Sequence, residues 1–392
     1  MALNWKTIAG CMLLTLGITM LGQGADGQEN GRSTKEVSGS GVFYLGQNRD
    51  MWRPLIHIAV NLSEITSIKS IFQLRTFDPD GTVFYGDTKS GEDWFVLSLK
   101  EGFPLMQISK EGMLLSVTGG PKLNDGKWHT LEVSNQGKFV VLVVDRTQPL
   151  VAGLQPKMKE ETLAGALRLA LGGILINTEK LLVQYKPQLD GCVREGNWLN
   201  LSSPWKTEEE EMWPCHETIK QGSYFPGKGF AVFNSSVFPT QTEQGINIEF
   251  WGDFSEMEGT ICCIKSPGHG PIFHLMANKS TAEITLTFGA EILVIKQQVF
   301  KRLMVTFQTD VLRVRLDGFE SRAMISVNEE SHAGYSDIWA AGSLSIGGLL
   351  GEDDTGTQFL TGCLEKIQIQ GENLDMDLAV KEMSIYSHSC PT

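Results

Sequence analysis

The sequence is poor in positive charge, and it lacks long apolar runs after its first residues. Its 33 Lys and Arg residues are outnumbered by 46 Asp and Glu, which gives a formal net charge of −13. A face that binds nucleic acid or an anionic membrane needs clustered Lys and Arg, and here the basic residues are scattered, so both partners are disfavoured. No later segment is apolar over the length that a membrane-spanning helix requires.

Catalytic sequence motifs are also lacking. The 7 histidines have no evident nucleophile partner, and neither a Gly-x-Ser-x-Gly elbow nor a His-Glu-x-x-His motif occurs. His129 follows Trp128 in a strand-like stretch, where a structural role is expected. Long stretches of helical periodicity are absent as well. The sequence therefore indicates a binding protein rather than an enzyme, and a fold made of strands.

The first residues are typical of a secretory signal peptide. Lys6 supplies a positive end, residues 8–21 form a short apolar run, and residues 22–25 offer small side chains for cleavage. We therefore expect residues 1–25 to be removed and the mature protein to be secreted, extracellular and soluble. A secretory route would make some of four Asn-x-Ser sequons available for glycosylation: Asn61, Asn200, Asn234 and Asn278.

Six cysteines remain after the predicted signal peptide. Their spacing favours the pairs Cys192–Cys215 and Cys363–Cys390, although the sequence alone leaves other connectivities open. A closed loop of that size stabilises a fold by roughly 3 kcal/mol in the chain-entropy model. Cys262 and Cys263 are adjacent, and their state is left open. Disulfides are favoured over a metal site, because no Cys-x-x-Cys pair with matching histidines exists.

Short apolar runs of period two fill the chain from residue 41 onwards. Residues 95–100 and 140–144 alternate in this way, and turn dipeptides such as Asp80-Gly81 separate the runs. This pattern predicts antiparallel β-sandwiches. A Gly-Gly turn followed by a Gly-Cys strand occurs twice in the same order, which indicates two copies of one module. The repeated segments are 171–174 with 191–192, and 346–349 with 362–363.

The first copy carries a specific resemblance. Residues 72–86 read FQLRTFDPDGTVFYG, and DWF at 93–95, NDGKWH at 124–129 and LDGC at 189–192 follow. This combination resembles the laminin G-like domain family and, within it, the sex hormone-binding globulins. The resemblance implies an all-β chain of two tandem laminin G-like antiparallel β-sandwich (jelly-roll) domains. The expected parts are a steroid-binding domain at 40–192, a linker with a disulfide loop at 193–222, and a second domain at 223–390.

The resemblance also implies a plasma carrier that binds androgens and oestrogens between the sheets of the first domain. Ser70 would bond a ring ketone at one end of the steroid, Asp93 would bond a hydroxyl at the other end, and Phe95 would pack on the rings. Lys110 stands where the family has an asparagine at the far end, so steroid preference is left open. Met106 shares a strand face with Lys110, and Leu167 replaces a family methionine in the lining.

Calcium is the cofactor that the resemblance implies. Asp78 and Asp80 flank a proline in a tight turn, and the backbone carbonyl of Gln188 would be the third ligand. Carboxylate and carbonyl oxygens suit Ca²⁺, and the role would be structural. Without the resemblance, this segment would be an ordinary surface turn, and the steroid-lining rows would be an ordinary core. Zinc is not expected, because Glu111 and Ala164 occupy the positions of the family's histidines.

The resemblance also implies a homodimer through the first domain, since an exposed strand edge is a template for pairing.

The alternative function is a calcium-dependent extracellular adhesion or receptor-binding module of the laminin G-like class. The interior discriminates between the two functions. A carrier needs a slot between its sheets, whereas an adhesion module can have a filled core.

Overall fold

The structure is a computed structural model, and it describes most of the chain from residue 34 onwards. The described residues are 34–47, 52–65, 68–88, 90–136, 139–153, 165–199, 201, 203–238, 245–265, 271–296, 300–308, 311–317, 319–326, 339–340, 342–349 and 358–392. The predicted signal peptide (1–25), the sequon residue Asn200 and Ala164 lie outside this part of the chain.

The strands β1 to β14 lie in the first half of the chain. In chain order they are β1 (Lys35–Val37), β2 (Phe43–Tyr44), β3 (Ile56–Asn61), β4 (Lys69–Thr76), β5 (Gly81–Thr88), β6 (Asp93–Lys100), β7 (Phe103–Lys110), β8 (Met113–Thr118), β9 (His129–Gln136), β10 (Phe139–Val144), β11 (Leu150–Gly153), β12 (Ala166–Leu171), β13 (Gly191–Trp198) and β14 (Trp205–Thr207).

The strands β15 to β30 lie in the second half. They are β15 (Ile219–Gln221), β16 (Ser223–Pro226), β17 (Phe230–Asn234), β18 (Ile246–Gly252), β19 (Gly259–Lys265), β20 (Pro271–Asn278), β21 (Glu283–Phe288), β22 (Glu291–Lys296), β23 (Arg302–Gln308), β24 (Val311–Leu316), β25 (Phe319–Ser326), β26 (Ser343–Ile346), β27 (Thr361–Ile369), β28 (Glu372–Asn373), β29 (Lys381–Met383) and β30 (Ser389–Pro391).

Short 3-10 helices occupy several of the described connections. They are Leu45–Gln47, Leu62–Glu64, Thr178–Lys180, Ser235–Val237, Phe254–Glu256 and Met376–Leu378. Within the described residues, no helix has both the length and the apolar character needed to cross a bilayer.

Two antiparallel sheets form the first sandwich. Sheet A has the order β1-β14-β3-β12-β5-β6-β7-β8, and sheet B has the order β11-β10-β9-β4-β13-β2. The rings of Phe72 on β4 and Phe84 on β5 lie 6.0 Å apart, so these two strands face one another across the core. The sandwich begins at Lys35 and continues to Thr207, which is beyond the Cys192 boundary expected from the sequence. Part of the expected linker therefore belongs to the two sheets.

The outer face of sheet A is covered as well as its inner face. Val96 is fully buried, like its neighbour Leu97 on the opposite face. Val96 belongs to a cluster that includes Ile174 and Leu181, from the segment between β12 and β13. Because the segment between β12 and β13 covers the outer face of sheet A, side chains on both faces of β6 are buried, although the sequence of β6 partly alternates between apolar and polar residues.

The second sandwich repeats the first strand by strand. Sheet C has the order β29-β17-β26-β19-β20-β21-β22, which matches sheet A from β14 to β8. Sheet D has the order β25-β24-β23-β18-β27-β16, which matches sheet B from β11 to β2. Each sandwich encloses its own apolar core. The prediction of two tandem antiparallel β-sandwiches is therefore confirmed.

Cysteine pairing follows the spacing argument. Disulfides join Cys192 to Cys215 and Cys363 to Cys390. Cys262 and Cys263 are buried on β19 as free thiols. Aromatic rings surround the first disulfide at the junction between the sandwiches. There, the ring of Tyr44 lies 4.5 Å from that of Tyr386.

Candidate functional site

Ser70 lies on β4 with its side chain between the two sheets of the first sandwich. It shares a strand face with the core residues Phe72 and Leu74, because side chains alternate along a strand. Ser70 is 1% exposed, and its Oγ has no hydrogen-bond partner among the described residues. A buried hydroxyl without a partner costs about 1–3 kcal/mol. A ligand atom that bonds to Ser70 would remove this cost.

The opposite wall is formed by β6 and β7 of sheet A. In their register, Phe95 pairs with Ile108 and Leu97 pairs with Met106. Directly opposed residues share one face of a sheet, and these four side chains pack in or against the first core. The structure thus brings the predicted lining residues Phe95 and Met106 to the same inward face.

The register of β6 and β7 begins at the pair Trp94–Ser109, so Asp93 and Lys110 are the next opposed positions and lie at the end of this row. The Oδ1 atom of Asp93 accepts a hydrogen bond of 2.8 Å from the backbone N–H of Glu111. Glu111 and Gly112 form the two-residue turn between β7 and β8, with φ values of 51° and 75°. Such positive φ angles at both central residues are typical of a tight hairpin, and glycine suits the second position. The hairpin therefore holds Asp93 at the end of the apolar row.

Several apolar side chains that pack against the core of the first sandwich are only half-buried. Leu167 on β12 is one of them, and Gly86, which pairs with Phe95 and Leu169, adds no side chain to the face. A filled core would bury such residues as completely as Leu97. Apolar lining that stays accessible is what a ligand slot between the sheets requires. The half-buried set consists of Ile65, Phe95, Met113, Leu115, Val117, Val140, Leu150 and Leu167.

The second sandwich also has half-buried apolar side chains against its core, among them Ile272 and Leu293, but its strand β18, which corresponds to β4, presents a fully buried apolar face. On β18, the facing residues Ile246, Ile248 and Phe250 are all buried and apolar. An interior gap beside Ile246 and Phe307 measures about 10 Å³, which is at the lower limit for one water molecule. The inward face of β18 thus has no counterpart of Ser70 among its described residues.

The turn predicted to bind calcium lies between β4 and β5. Asp78 is completely buried, and its Oδ1 accepts a hydrogen bond of 3.0 Å from the backbone N–H of Asp80. The carbonyl oxygen of Gln188 lies against the same turn, since a Cβ atom added to Gly81 would come within 2.7 Å of it. The Gln188 carbonyl therefore lies next to the end of the turn that carries Asp78 and Asp80, and calcium binding by these groups stays a prediction.

Two residues of the second sandwich lie beside this turn. Ligand atoms of Asp78, Asp377 and His388 all lie within 4.8 Å of one another, and within the described chain this group does not include Asp80. The Nε2 atom of His388 is 3.3 Å from Oδ2 of Asp377. Burial alone would lower the pKa of His388, but the nearby carboxylates raise it to about 10. Burial raises the pKa of Asp78.

Asp190 fastens the same segment of the second sandwich to the first. Its carboxylate accepts hydrogen bonds from the backbone N–H groups of His388 and Ser389, at 2.6 and 2.9 Å, and from the hydroxyl of Ser389, at 2.8 Å. Its own N–H donates to Oδ2 of Asp78 at 2.8 Å. All of these groups are buried or half-buried, where charge-assisted hydrogen bonds are strongest.

Sequence reasoning did not identify Asp377, His388 or Asp190 as parts of this junction. Asp190 lies within the LDGC segment at 189–192, and this motif was the one feature of the sequence that pointed to the junction. Asp377 and His388 belong to the other sandwich, and nothing in their local sequence indicates a contact with Asp78.

Three of the four predicted sequons lie in the described part of the chain. Asn61 and Asn234 are exposed, and each caps a 3-10 helix by accepting from the N–H of the serine in its own sequon. Asn278 is half-buried. Glycosylation at these positions stays a prediction.

Comparisons with known proteins agree with this architecture. Residues 74–202 match the laminin G domain family. Sex hormone-binding globulin of Rattus norvegicus is 28% identical over 350 residues, which cover 86% of this chain and 84% of that protein. The Homo sapiens protein of that name is 29% identical over 348 residues, with 86% and 84% covered. Growth arrest-specific protein 6 of Mus musculus is 24% identical over 86% of this chain and 54% of that protein.

Solved laminin structures share the fold. Domains LG4-5 of the mouse laminin alpha1 chain align with a TM-score of 0.62 at 17% identity, covering 91% of this chain and 96% of that one. The LG1-3 region of the laminin alpha2 chain gives a TM-score of 0.52 at 18% identity, covering 91% and 65%. The chain is a tandem pair of laminin G-like β-sandwiches whose sequence is similar, over most of its length, to sex hormone-binding globulins.

Proposed function

We propose that this protein is a secreted, non-catalytic carrier of sex steroids, which it binds between the sheets of the first sandwich. The observation that carries the proposal is the hydroxyl of Ser70, which is buried on the inward face without a partner. Half-buried apolar side chains that pack against the core of the same sandwich offer a surface for a flat, rigid, apolar ligand. The name of the relatives from Rattus norvegicus and Homo sapiens, sex hormone-binding globulin, supports the same ligand class.

Each site residue has a defined part in the proposal. Ser70 donates to a ketone at the inner end of the steroid, and Phe95 packs on the rings. Asp93 and Lys110 bind the polar group at the outer end, while Met106 and Leu167 complete the apolar lining. No step of bond making or breaking is required of these residues.

Equilibrium binding of labelled testosterone and oestradiol to the full chain tests this function. The variant is Ser70→Ala, and the control is Ser116→Ala, a half-buried serine of β8. We expect saturable binding that Ser70→Ala weakens by about tenfold, since one hydrogen bond of about 1.4 kcal/mol is lost. Absence of saturable binding by the folded protein would contradict the carrier function and favour the adhesion module.

Calcium is proposed as a structural ion held by Asp78, Asp80 and the carbonyl of Gln188. The oxygen donors and the burial of Asp78 fit this ion, which when bound would neutralise carboxylates and join two loops. Thermal unfolding in calcium and in a chelator is the test, with Asp78→Asn and the exposed Asp317→Asn as a matched pair. We expect calcium to raise the midpoint of the wild type and of Asp317→Asn but not of Asp78→Asn. An equal response of both variants would refute this site.

A homodimer through the first sandwich is the remaining part of the proposal. Among the described strands, β8 pairs with β7 alone and forms one edge of sheet A, and Leu114 on it is exposed. An open edge of this kind can pair with a second copy. Sedimentation of wild type and Ser116→Pro is the test, because proline removes a backbone donor from the edge. A wild-type monomer at micromolar concentration would exclude this dimer.

A further inference from the structure

Strand β22 forms an open edge of sheet C, and its outward face is apolar. Among the described strands, β22 pairs with β21 alone. Leu293 and Ile295 pack on the core of the second sandwich, and side chains alternate along a strand, so Ile292 and Val294 point outward. Ile292 is 67% exposed and Val294 is 50% exposed. An open edge that exposes β-branched apolar side chains is a template for pairing with another strand.

The outer face of sheet C beside this edge is uncharged. Opposite the two exposed residues of β22, strand β21 places Thr287 and Thr285. The next strand, β20, places His274 and Met276 in the same two rows. Burial lowers the pKa of His274, so its imidazole is neutral at pH 7. Two copies of a chain with a net charge of −13 repel one another, and contact through an uncharged face limits this repulsion.

The corresponding face of the first sandwich is covered by its own chain. The segment 172–190, between β12 and β13, lies over the outer face of sheet A and reaches β7, where Gln107 bonds its backbone at 2.8 and 2.9 Å. In the second sandwich, the connection between β26 and β27 is the shorter segment 347–360. Its residues 351–357 read GEDDTGT, without an apolar side chain. The sequence of this connection therefore provides no equivalent cover for the outer face of sheet C.

Two copies of β22 are able to pair about a two-fold axis beside Leu293. An axis perpendicular to the sheet makes the two strands antiparallel and keeps their outer faces on one side. With Leu293 opposite its own copy, Ile292 of each chain lies opposite Val294 of the other. Directly opposed side chains of an antiparallel pair have Cβ atoms about 4.5–5.5 Å apart, so these four side chains form one apolar patch. Glu291 lies opposite Ile295 of the other copy, so the two carboxylates do not meet.

We propose that β22 pairs with β22 of a second copy of this chain, so that sheet C continues across two molecules. The second sandwich is then a self-association surface, separate from the edge β8 of the first sandwich. This role goes beyond the carrier function, because it requires no ligand. A chain that uses both edges assembles into species larger than a dimer.

Disulfide formation between chains tests the register. Full-length Ile292→Cys and Val294→Cys are prepared separately and mixed under a mild oxidant. We expect a crosslinked dimer in the equimolar mixture and at least about fivefold less in either variant alone, because two copies of one cysteine are diagonal neighbours about 7–8 Å apart. The matched control mixes Ile292→Cys with Val380→Cys, since Val380 is 71% exposed away from the edge. Equal crosslinking in the two mixtures would overturn the proposal.

Sedimentation of the Ser116→Pro variant isolates the second interface, because this substitution disrupts the edge β8. In this background we expect a concentration-dependent dimer whose dissociation constant Val294→Lys raises by about tenfold or more, since a lysine on an edge strand opposes pairing. Val380→Lys is the matched control and should leave the dimer unchanged. A monomer with wild-type β22, or equal effects of the two lysine variants, would overturn the proposal. Thermal unfolding shows that each variant is folded, and steroid binding, which tests the carrier function separately, should be the same in all of them.

Discussion

The Nε2 atom of His388 in the second sandwich lies 3.6 Å from Oδ1 of Asp78 in the first. The pair joins the buried turn between β4 and β5 to the segment just before β30. The Cys363–Cys390 disulfide links β30 to β27 of the second sandwich. The second sandwich therefore contributes directly to the surroundings of the turn that is proposed to bind calcium. Removal of the second sandwich would expose Asp78 to solvent.

Asp190→Asn should destabilise the protein. The substitution keeps the size of the side chain but removes the negative charge that accepts from His388 and Ser389. Hydrogen bonds to a charged group are each worth about 1.5–3 kcal/mol, and we expect a loss of this order in the free energy of unfolding. Denaturant titration measures it. The control is Glu372→Gln on the exposed strand β28, and an equal effect of both substitutions would contradict the role given to Asp190.

Ser70→Ala should have opposite effects on stability and on binding. In the ligand-free protein it removes a buried hydroxyl that has no partner, so stability should stay constant or rise by about 1 kcal/mol. Steroid binding should weaken, because the donor to the ketone is lost. Calorimetric unfolding of the ligand-free protein and equilibrium binding are the two measurements. A parallel loss of stability and binding would mean that Ser70 is simply a core residue.

His129 should stabilise the fold most at low pH. Its Nδ1 is 2.7 Å from Asp145 and its Nε2 is 2.9 Å from Asp125. Burial alone would lower the pKa of His129, but these two hydrogen bonds outweigh it and raise the pKa above the ordinary value of 6.5. Since the folded state binds the proton more tightly, the stabilisation is complete below pH 6.5 and is lost as the pH rises through the folded pKa.

The free energies of unfolding of wild type and His129→Gln, measured across this pH range, test whether the stabilisation by His129 falls as the pH rises. The matched control is His57→Gln, because burial lowers the pKa of His57. Its contribution to stability should increase, not decrease, as the pH rises towards 6.5. The same pH trend for both histidines would show that the ion pairs of His129 do not act as described.

The Cys363–Cys390 disulfide should contribute about 3 kcal/mol to stability. It closes a loop with a sequence separation of 27 residues and ties β30 to β27. The double variant Cys363→Ser with Cys390→Ser should therefore unfold at lower denaturant concentration than the wild type, with the first sandwich still folded. Far-ultraviolet circular dichroism and a reducing-agent control measure this, and a double variant of unchanged stability would exclude the contribution.

The sequence by itself determined the two sandwiches and much of the candidate slot. Alternation along segments such as 95–100 specifies strands, and the period of two places Asp93, Phe95 and Lys110 in their rows, because side-chain direction along a strand is a local property. The spacing of the cysteines also favoured the two disulfides that the structure contains.

Tertiary structure alone decided the contacts between distant segments. The meeting of Asp78 with Asp377 and His388 depends on how the sandwiches pack, which no local pattern encodes. The same holds for the burial of Val96 under the segment that carries Ile174, and for the missing partner of Ser70. Local sequence fixes the direction of a side chain, whereas only the packed chain fixes what lies opposite that side chain.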